Sequence, residues 1–340
     1  MKRAGKIILP LVLILLVTIP VFVFGAGGGE RGAPNYPTRP VELLIPMGAG
    51  GAHDLTARAV VAVVHRYLGQ PMTVTLRPGA TGVIGTTEIA NAAPDGYRLL
   101  FGGPGPNVAL PIAQEVPYSL DSFVSIAMVN YTPTVLAVRG DSPYHTVQDL
   151  IDAINARPGQ MNYATAGVYG NTHLAMAMIW NAYNVMGRIQ PVHFDGGGPQ
   201  LAALLGGQVV AAAPFPSAII DHVKSGTLRP LAVTDYQRIP ADEADGVFAN
   251  VPTFTELGYP DVIFRQWKTV MAPAGLPREV EMHLRNTFQQ LSRDSEFAEL
   301  LARIGERADQ WMDGPDFTRQ LAEESTAFER IIRIIQQMEG

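Results

Sequence analysis

From Tyr36 onward the chain alternates short apolar runs with longer stretches in which apolar residues recur at spacings of three and four. A short unbroken apolar run is a strand covered on both faces, and the helices between such strands are what cover it. The alternation therefore confines the fold to the α/β class with mostly parallel sheets. Strands are predicted at 41–46, 72–76, 98–101, 124–129, 134–138, 161–164, 189–194, 209–213 and 228–234. Helices are predicted at 54–68, 146–156, 172–183, 199–205 and 217–225, followed by a terminal block of three at 277–293, 295–306 and 315–338. With 340 residues the chain has material for two lobes, each with its own core. It contains no cysteine, which excludes disulfides, thiolate metal sites and Cys nucleophiles.

The first residues have a different character. Lys2, Arg3 and Lys6 precede an uncharged apolar stretch from Ile7 to Phe24, and small residues follow at Gly25-Ala26-Gly27. This is the pattern of an export signal over residues 1–26, cut near Gly25 to Gly27. A retained membrane anchor is the alternative, because the stretch approaches the roughly 20 residues a spanning helix needs; Pro10 and Pro20 favour the disposable signal. Residues 27–35 read as a glycine-rich tether. Loss of the three cations takes the net charge from −6 to −9, and no other basic run occurs, so nucleic acid is excluded as a partner.

In α/β sheets ligands sit beyond the carboxyl ends of the strands, and four loops there are rich in glycine. The first is Pro46 to Asp54, with Ala49, Gly50, Gly51, Ala52, His53 and Asp54 as candidate site residues. The second runs from Arg77 to Gly85 and contributes Gly79, Thr81 and Gly82. The third, Ala166 to His173, contributes Gly167, Tyr169, Gly170, Asn171, Thr172 and His173. The fourth, Phe194 to Pro199, contributes Asp195 and Gly196. Any one of these could be an ordinary tight turn. Four glycine loops, two from each half of the chain and each leading into a helix, could converge on one cleft and hold an anion by backbone N–H groups. An acidic chain would then bind an acid without Lys or Arg.

Catalytic and nucleotide motifs fail. Gly48-Ala49-Gly50 is followed by His53 where a dinucleotide fingerprint needs glycine; Gly79, Gly82 and Gly85 match no phosphate loop; and neither G-x-S-x-G nor H-E-x-x-H occurs. His53 and His173 sit where a glycine loop meets a helix and serve either the site or their own loops. Asp54 reads as a helix N-cap rather than a catalyst, and Trp180, in mid-helix, as core. No nucleophile accompanies either histidine, so no catalytic residue, metal or cofactor is expected.

Tyr36-Pro37-Thr38-Arg39-Pro40-Val41, the Pro46 to Asp54 loop, Arg77-Pro78-Gly79, Ala93-Pro94-Asp95-Gly96-Tyr97, Asn162-Tyr163-Ala164, His173-Leu174-Ala175, Leu204-Leu205-Gly206-Gly207-Gln208-Val209, Leu231-Ala232-Val233-Thr234, Val251-Pro252-Thr253 and Ala272-Pro273-Ala274-Gly275 occur in this order. Together they resemble the substrate-binding proteins of tripartite tricarboxylate transporters. The resemblance implies a two-lobed periplasmic-binding-protein fold of type II character, each lobe a mostly parallel sheet flanked by helices, joined by a hinge of crossing strands. One lobe would comprise 36–133 plus 234–340, the other 134–233. It implies a periplasmic, monomeric receptor that closes on a small carboxylate and hands it to integral-membrane permease subunits. The carboxylate would be a di- or tricarboxylate, an acidic amino acid or an aromatic acid, held by the loops at 50–54, 79–85 and 167–173.

The chain departs from the family pattern at Tyr169-Gly170, where Gly then Ser or Thr is common, at Asp195, where a cation is frequent, at Val210, where an acid is frequent, and at Pro214-Phe215-Pro216. Phe215 joins the candidate site residues on that account, and the departures lean toward a flatter, less charged ligand such as an aromatic monocarboxylate. A ligand sensor for a membrane signalling partner, or an exported α/β hydrolase using His53 or His173 as base, would share many of these features.

Overall fold

The computed structural model of the protein describes residues 35–339. The expected export signal at 1–26 and all but the end of the tether lie outside the described residues. The chain begins with β1 (Val41–Ile45), α1 (Ala52–Leu68), β2 (Met72–Leu76), α2 (Val83–Ala90), β3 (Arg98–Gly102), the short α3 (Leu110–Ala113) and the long β4 (Phe123–Pro133). It continues through β5 (Val135–Arg139), α4 (Val147–Ala156), β6 (Met161–Thr165), α5 (Asn171–Ala182), β7 (Ile189–His193), α6 (Gly197–Leu205), β8 (Ala211–Ala212), α7 (Pro216–Lys224) and β9 (Leu228–Val233). The last part is β10 (Arg265–Pro273), α8 (Arg278–Leu291), α9 (Ser295–Arg303), β11 (Met312–Asp313) and α10 (Gly314–Glu339).

Two sheets result. The first has the order β2–β1–β3–β10–β4–β11, the second β7–β6–β8–β5–β9. Both are mixed, which is less parallel than the alternation of runs suggests. Strands β1, β2 and β3 are mutually parallel, as are β6, β7 and β8, but β10 runs antiparallel to β3 and β4, and β5 antiparallel to β8 and β9. Strands β5 and β10 are those by which the chain enters a sheet from the junction between the two, so they run opposite to the βαβ strands, whereas β4 and β9, which lead out of a sheet, run with them.

The apolar run of β1 shows how the layers form. Val41, Leu43 and Ile45 face α1, α8 and α9, where they pack with Val60, Val64, Leu284, Phe288 and Leu301. Leu44 points the opposite way, toward Ile89 of α2 and the helix α10. This is the two-residue period of a strand buried on both faces. In the second sheet Val135 and Ala137 pack with Leu204 and Ile219, while Leu136 and Val138 meet α4 and α5. One core cluster spans both sheets, because α10 lays Phe317, Leu321, Phe328 and Ile335 against first-sheet residues and against α5.

The sheets are linked where β4 becomes β5 and where the chain returns after β9. Thr134 N–H donates to Thr234 Oγ1 at 2.9 Å, and Thr234 Oγ1 donates to the Phe264 carbonyl at 2.9 Å, so three passing segments are tied at one point. Between Thr234 and Phe264, Ile239, Phe248 and Val251 pack into the second sheet's cluster, and the chain rejoins the first sheet at Arg265.

Strand β10, central in the first sheet, is absent from the strands expected from the sequence. Its segment Arg265-Gln266-Trp267-Lys268-Thr269 looks polar, yet Gln266, Trp267, Lys268 and Thr269 are all buried. Lys268 Nζ donates to Glu306 Oε2 at 2.7 Å and to Thr132 Oγ1 at 2.6 Å, and the same carboxylate oxygen accepts from Thr56 and Asn130. A buried charge is tolerated only with such partners.

Candidate functional site

The helices that follow β1, β2, β6, β7 and β8 begin at the carboxyl ends of their strands, on the cleft between the sheets. The first turn of α1 leaves N–H groups without helical partners, and its N-cap is Gly51, which offers no capping side chain. Asp54 is therefore not the N-cap. It lies inside the first turn and reaches back, accepting from Gly50 N–H at 2.9 Å and pairing with Arg58 Nε at 2.9 Å. Its role is to hold the loop. Helices α2, α5 and α6 likewise have glycine at the N-cap, namely Gly82, Gly170 and Gly196. Gly167 and Gly196 both have φ of 100°, a conformation that a side chain would strain, and these turns aim the N–H groups into the cleft. The third loop is fastened to its own helix: Thr172 Oγ1 accepts from Ala166 N–H at 2.8 Å, and His173 Nδ1 accepts from Tyr169 N–H at 3.0 Å.

Two adjoining cavities occupy the cleft. The larger, about 300 Å³, is bounded by Gly79, Thr81 and Gly82 from the first lobe and by Gly167, Gly170 and Asp195 from the second. The smaller, about 130 Å³, is bounded by Gly50, Gly51, Ala52 and His53 on one side and by Thr172, Gly197, Gln200 and Phe215 on the other. Met47, Gly48, Ala166, Asn171 and Gly196 line both, which makes them compartments of one cleft. The smaller compartment receives the N-termini of four helices, α1, α5, α6 and α7, and its lining residues include no charged side chain. Among the described residues, the only charged side chain lining the larger one is Asp195.

All but four of the residues expected from the sequence line these compartments. The exceptions are Ala49, which is exposed; Asp54 and His173, which are buried loop fasteners; and Tyr169, whose ring lies 6.0 Å from that of His173. Met47, Pro106, Gln200 and Gln266 line the cleft without having been named as candidate site residues. Nothing in the sequence marks Gln266 as part of the site, because it reaches the cleft from β10, more than 200 positions from the loop it joins.

His53 is 3% exposed and sits between two fixed partners. Its Nε2 lies 3.1 Å from the Gly102 carbonyl and its Nδ1 lies 2.6 Å from Gln266 Nε2. Burial, and secondarily the nearby Lys268 charge, push its pKa from 6.5 down to about 3, so the ring is neutral at physiological pH. A neutral, fully engaged imidazole with no Ser or Cys among the lining residues is not a general base beside a nucleophile. Among the described residues no group of three or more His, Asp or Glu side chains is placed to hold a metal ion.

The sequence profile of the "Tripartite tricarboxylate transporter family receptor" matches residues 56–339. The chain belongs to this receptor family. The receptor is 32% identical over 324 residues to Protein BugT of Bordetella pertussis, covering 94% of this chain and 96% of BugT. Among solved structures, the R. palustris protein Rpa4515 with adipate superposes with a TM-score of 0.80 at 27% identity, covering 88% of the receptor and 98% of that chain. The periplasmic binding protein BugD superposes with a TM-score of 0.79 at 26% identity, covering 89% and 99%. The two-lobed α/β architecture expected from the resemblance is thus the fold observed, and the receptor is a solute-binding protein of that family.

Proposed function

We propose that the receptor captures a small carboxylate in the interlobe cleft, outside the cytoplasmic membrane, and delivers it to membrane permease subunits. The observation that carries this reading is the convergence of four helix N-termini on a compartment lined by no charged side chain. Unpaired N–H groups and the positive ends of the helix dipoles attract an anion there, and a closed cleft strengthens that attraction by excluding water. The carboxyl group belongs in the smaller compartment, since Asp195 makes the larger one less hospitable to negative charge. The remainder of the ligand extends into the larger compartment, past Pro106 and Thr81. The adipate in the R. palustris relative supports the carboxylate class.

Closure would pivot on the Thr134–Thr234–Phe264 junction. The segment 234–264, assigned to the first lobe from the sequence, would travel with the second, because Ile239, Phe248 and Val251 pack there. Thermal unfolding of the exported form against a panel of mono-, di- and tricarboxylates tests the reading. A ligand at 100 times its Kd should add about 2.7 kcal/mol to stability. A panel in which no carboxylate raises the midpoint would defeat it.

A further inference from the structure

Gln266 enters the smaller compartment from β10 and is 2% exposed. The orientation of its amide follows from its neighbours. The Gly102 carbonyl can only accept, so His53 Nε2 must carry the proton that lies between them. A neutral imidazole then presents a bare Nδ1, which can only accept from the Gln266 NH₂ at 2.6 Å. The opposite amide orientation would set an oxygen against that lone pair. Gln266 Oε1 is therefore turned away from His53, and it is buried without a hydrogen-bond partner. A buried, unsatisfied acceptor on a side chain that lines a ligand compartment is costly unless a bound ligand reaches and satisfies it.

We propose that Gln266 Oε1 makes the smaller compartment selective for carboxylates that carry a hydroxyl group close to the carboxyl carbon. This rests on the carboxylate reading above and goes beyond it. The compartment holds only about 130 Å³, so the donor that reaches Gln266 lies within one or two carbons of the carboxylate held by the helix N-termini. A second carboxylate in that position would face the amide oxygen as acceptor against acceptor. An ammonium group would donate, but it would meet the positive ends of four helices with no acidic side chain lining the compartment. A hydroxyl donates without either penalty. His53 acts as a positioning residue by holding the amide in this orientation, and its other nitrogen is anchored on the main chain of β3.

Calorimetric titration of the folded receptor with two matched pairs tests the inference: malate against succinate, and 3-phenyllactate against 3-phenylpropanoate. Each pair differs by one hydroxyl. In a pair that binds, the hydroxy acid should bind at least about tenfold more tightly, because the deoxy acid leaves the acceptor unsatisfied. In Gln266→Met, which keeps the volume and removes the acceptor, the ratio should fall to within about twofold. Circular dichroism of the variant checks its fold, and the wild-type ratio decides the matter even if the variant fails to fold. Equal affinities within the wild-type pairs would overturn the selectivity while leaving carboxylate capture intact. A ratio that persists in folded Gln266→Met would overturn the role of Gln266. If no member of either pair binds while another carboxylate of the panel does, the selectivity for hydroxy acids fails and carboxylate capture stands; if the panel is also silent, the carboxylate reading fails with it.

Discussion

The backbone amide of Gly105 in the first lobe donates to Oδ1 of Asn171 in the second at 2.6 Å. Asn171 is the first residue of α5 and lines both compartments, so the bond closes the cleft at the place where a ligand would sit. A second cross-lobe contact lies beside it: a Cβ added to Gly167 would stand 2.6 Å from Thr81 Oγ1. At both places a side chain of one lobe meets the backbone of the other, and at Gly167 no room is left for an added Cβ.

Closure should therefore depend on Gly167. Gly167→Ala combines a φ of 100° with the clash against Thr81, and both oppose the closed form. The variant should fold but lose more than about tenfold in ligand affinity, and small-angle scattering at saturating ligand should show a larger radius of gyration than the wild type. Wild-type affinity and compaction would show that the lobes close by another route.

The amide cradle predicts a contrast between two loop residues. Gly51 has an extended backbone and nothing closer than 3.9 Å to an added Cβ, so Gly51→Val should fold normally while its side chain obstructs the approach of an anion to the first turn of α1. Arg77 pairs with Glu88 at 3.3 Å and does not line either compartment. Calorimetry should find Gly51→Val weakened by well over about tenfold and Arg77→Gln by less than about twofold. The reverse result would mean that a side-chain cation anchors the ligand.

The buried pair of Lys268 and Glu306, both fully inaccessible, carries a stability prediction. Burial pushes the Lys268 ammonium below its ordinary range, and the Glu306 carboxylate opposes that shift. Glu306→Gln leaves the ammonium buried without a counter-charge and should cost about 3–5 kcal/mol in urea unfolding. The double variant Lys268→Met/Glu306→Leu should lose less than the single one, since it removes both charges at once. A Glu306→Gln variant as stable as the wild type would show that the pair is not what holds this part of the core.

His53 should make stability depend on pH. Its folded pKa of about 3 lies below the ordinary 6.5, so between these values the unfolded chain binds a proton that the folded chain refuses. The stability contributed by the neutral ring is complete above about pH 6.5 and is lost as the pH falls toward 3, with a slope of up to about 1.4 kcal/mol per pH unit. Chemical unfolding from about pH 6 to 4 should show a shallower slope in His53→Gln than in the wild type. Equal slopes would mean that His53 titrates normally in the fold.

The chain's own order of residues determined the fold class, the longer helices and most of the cleft, while the short α2 and α3 were not among the helix ranges expected. Each glycine loop could be recognised because its function is local: the strand that ends, the glycine that turns and the helix that begins are adjacent in sequence. Residues Gly79 to Gly82 and Gly167 to Asn171 needed no distant partner to be seen as helix entrances. Strand β10 and Gln266 were hidden for the opposite reason. The polar residues of Arg265 to Thr269 become core only because Glu306, His53 and Asn130 arrive from other parts of the chain to satisfy them. Tertiary structure alone decided that Asp54 and His173 fasten loops. It also decided that one buried amide oxygen, on a residue lining the cleft, is left without a hydrogen-bond partner. Local periodicity and turn chemistry act over a few residues, whereas hydrogen-bond satisfaction among buried groups is settled between residues as far as 250 positions apart.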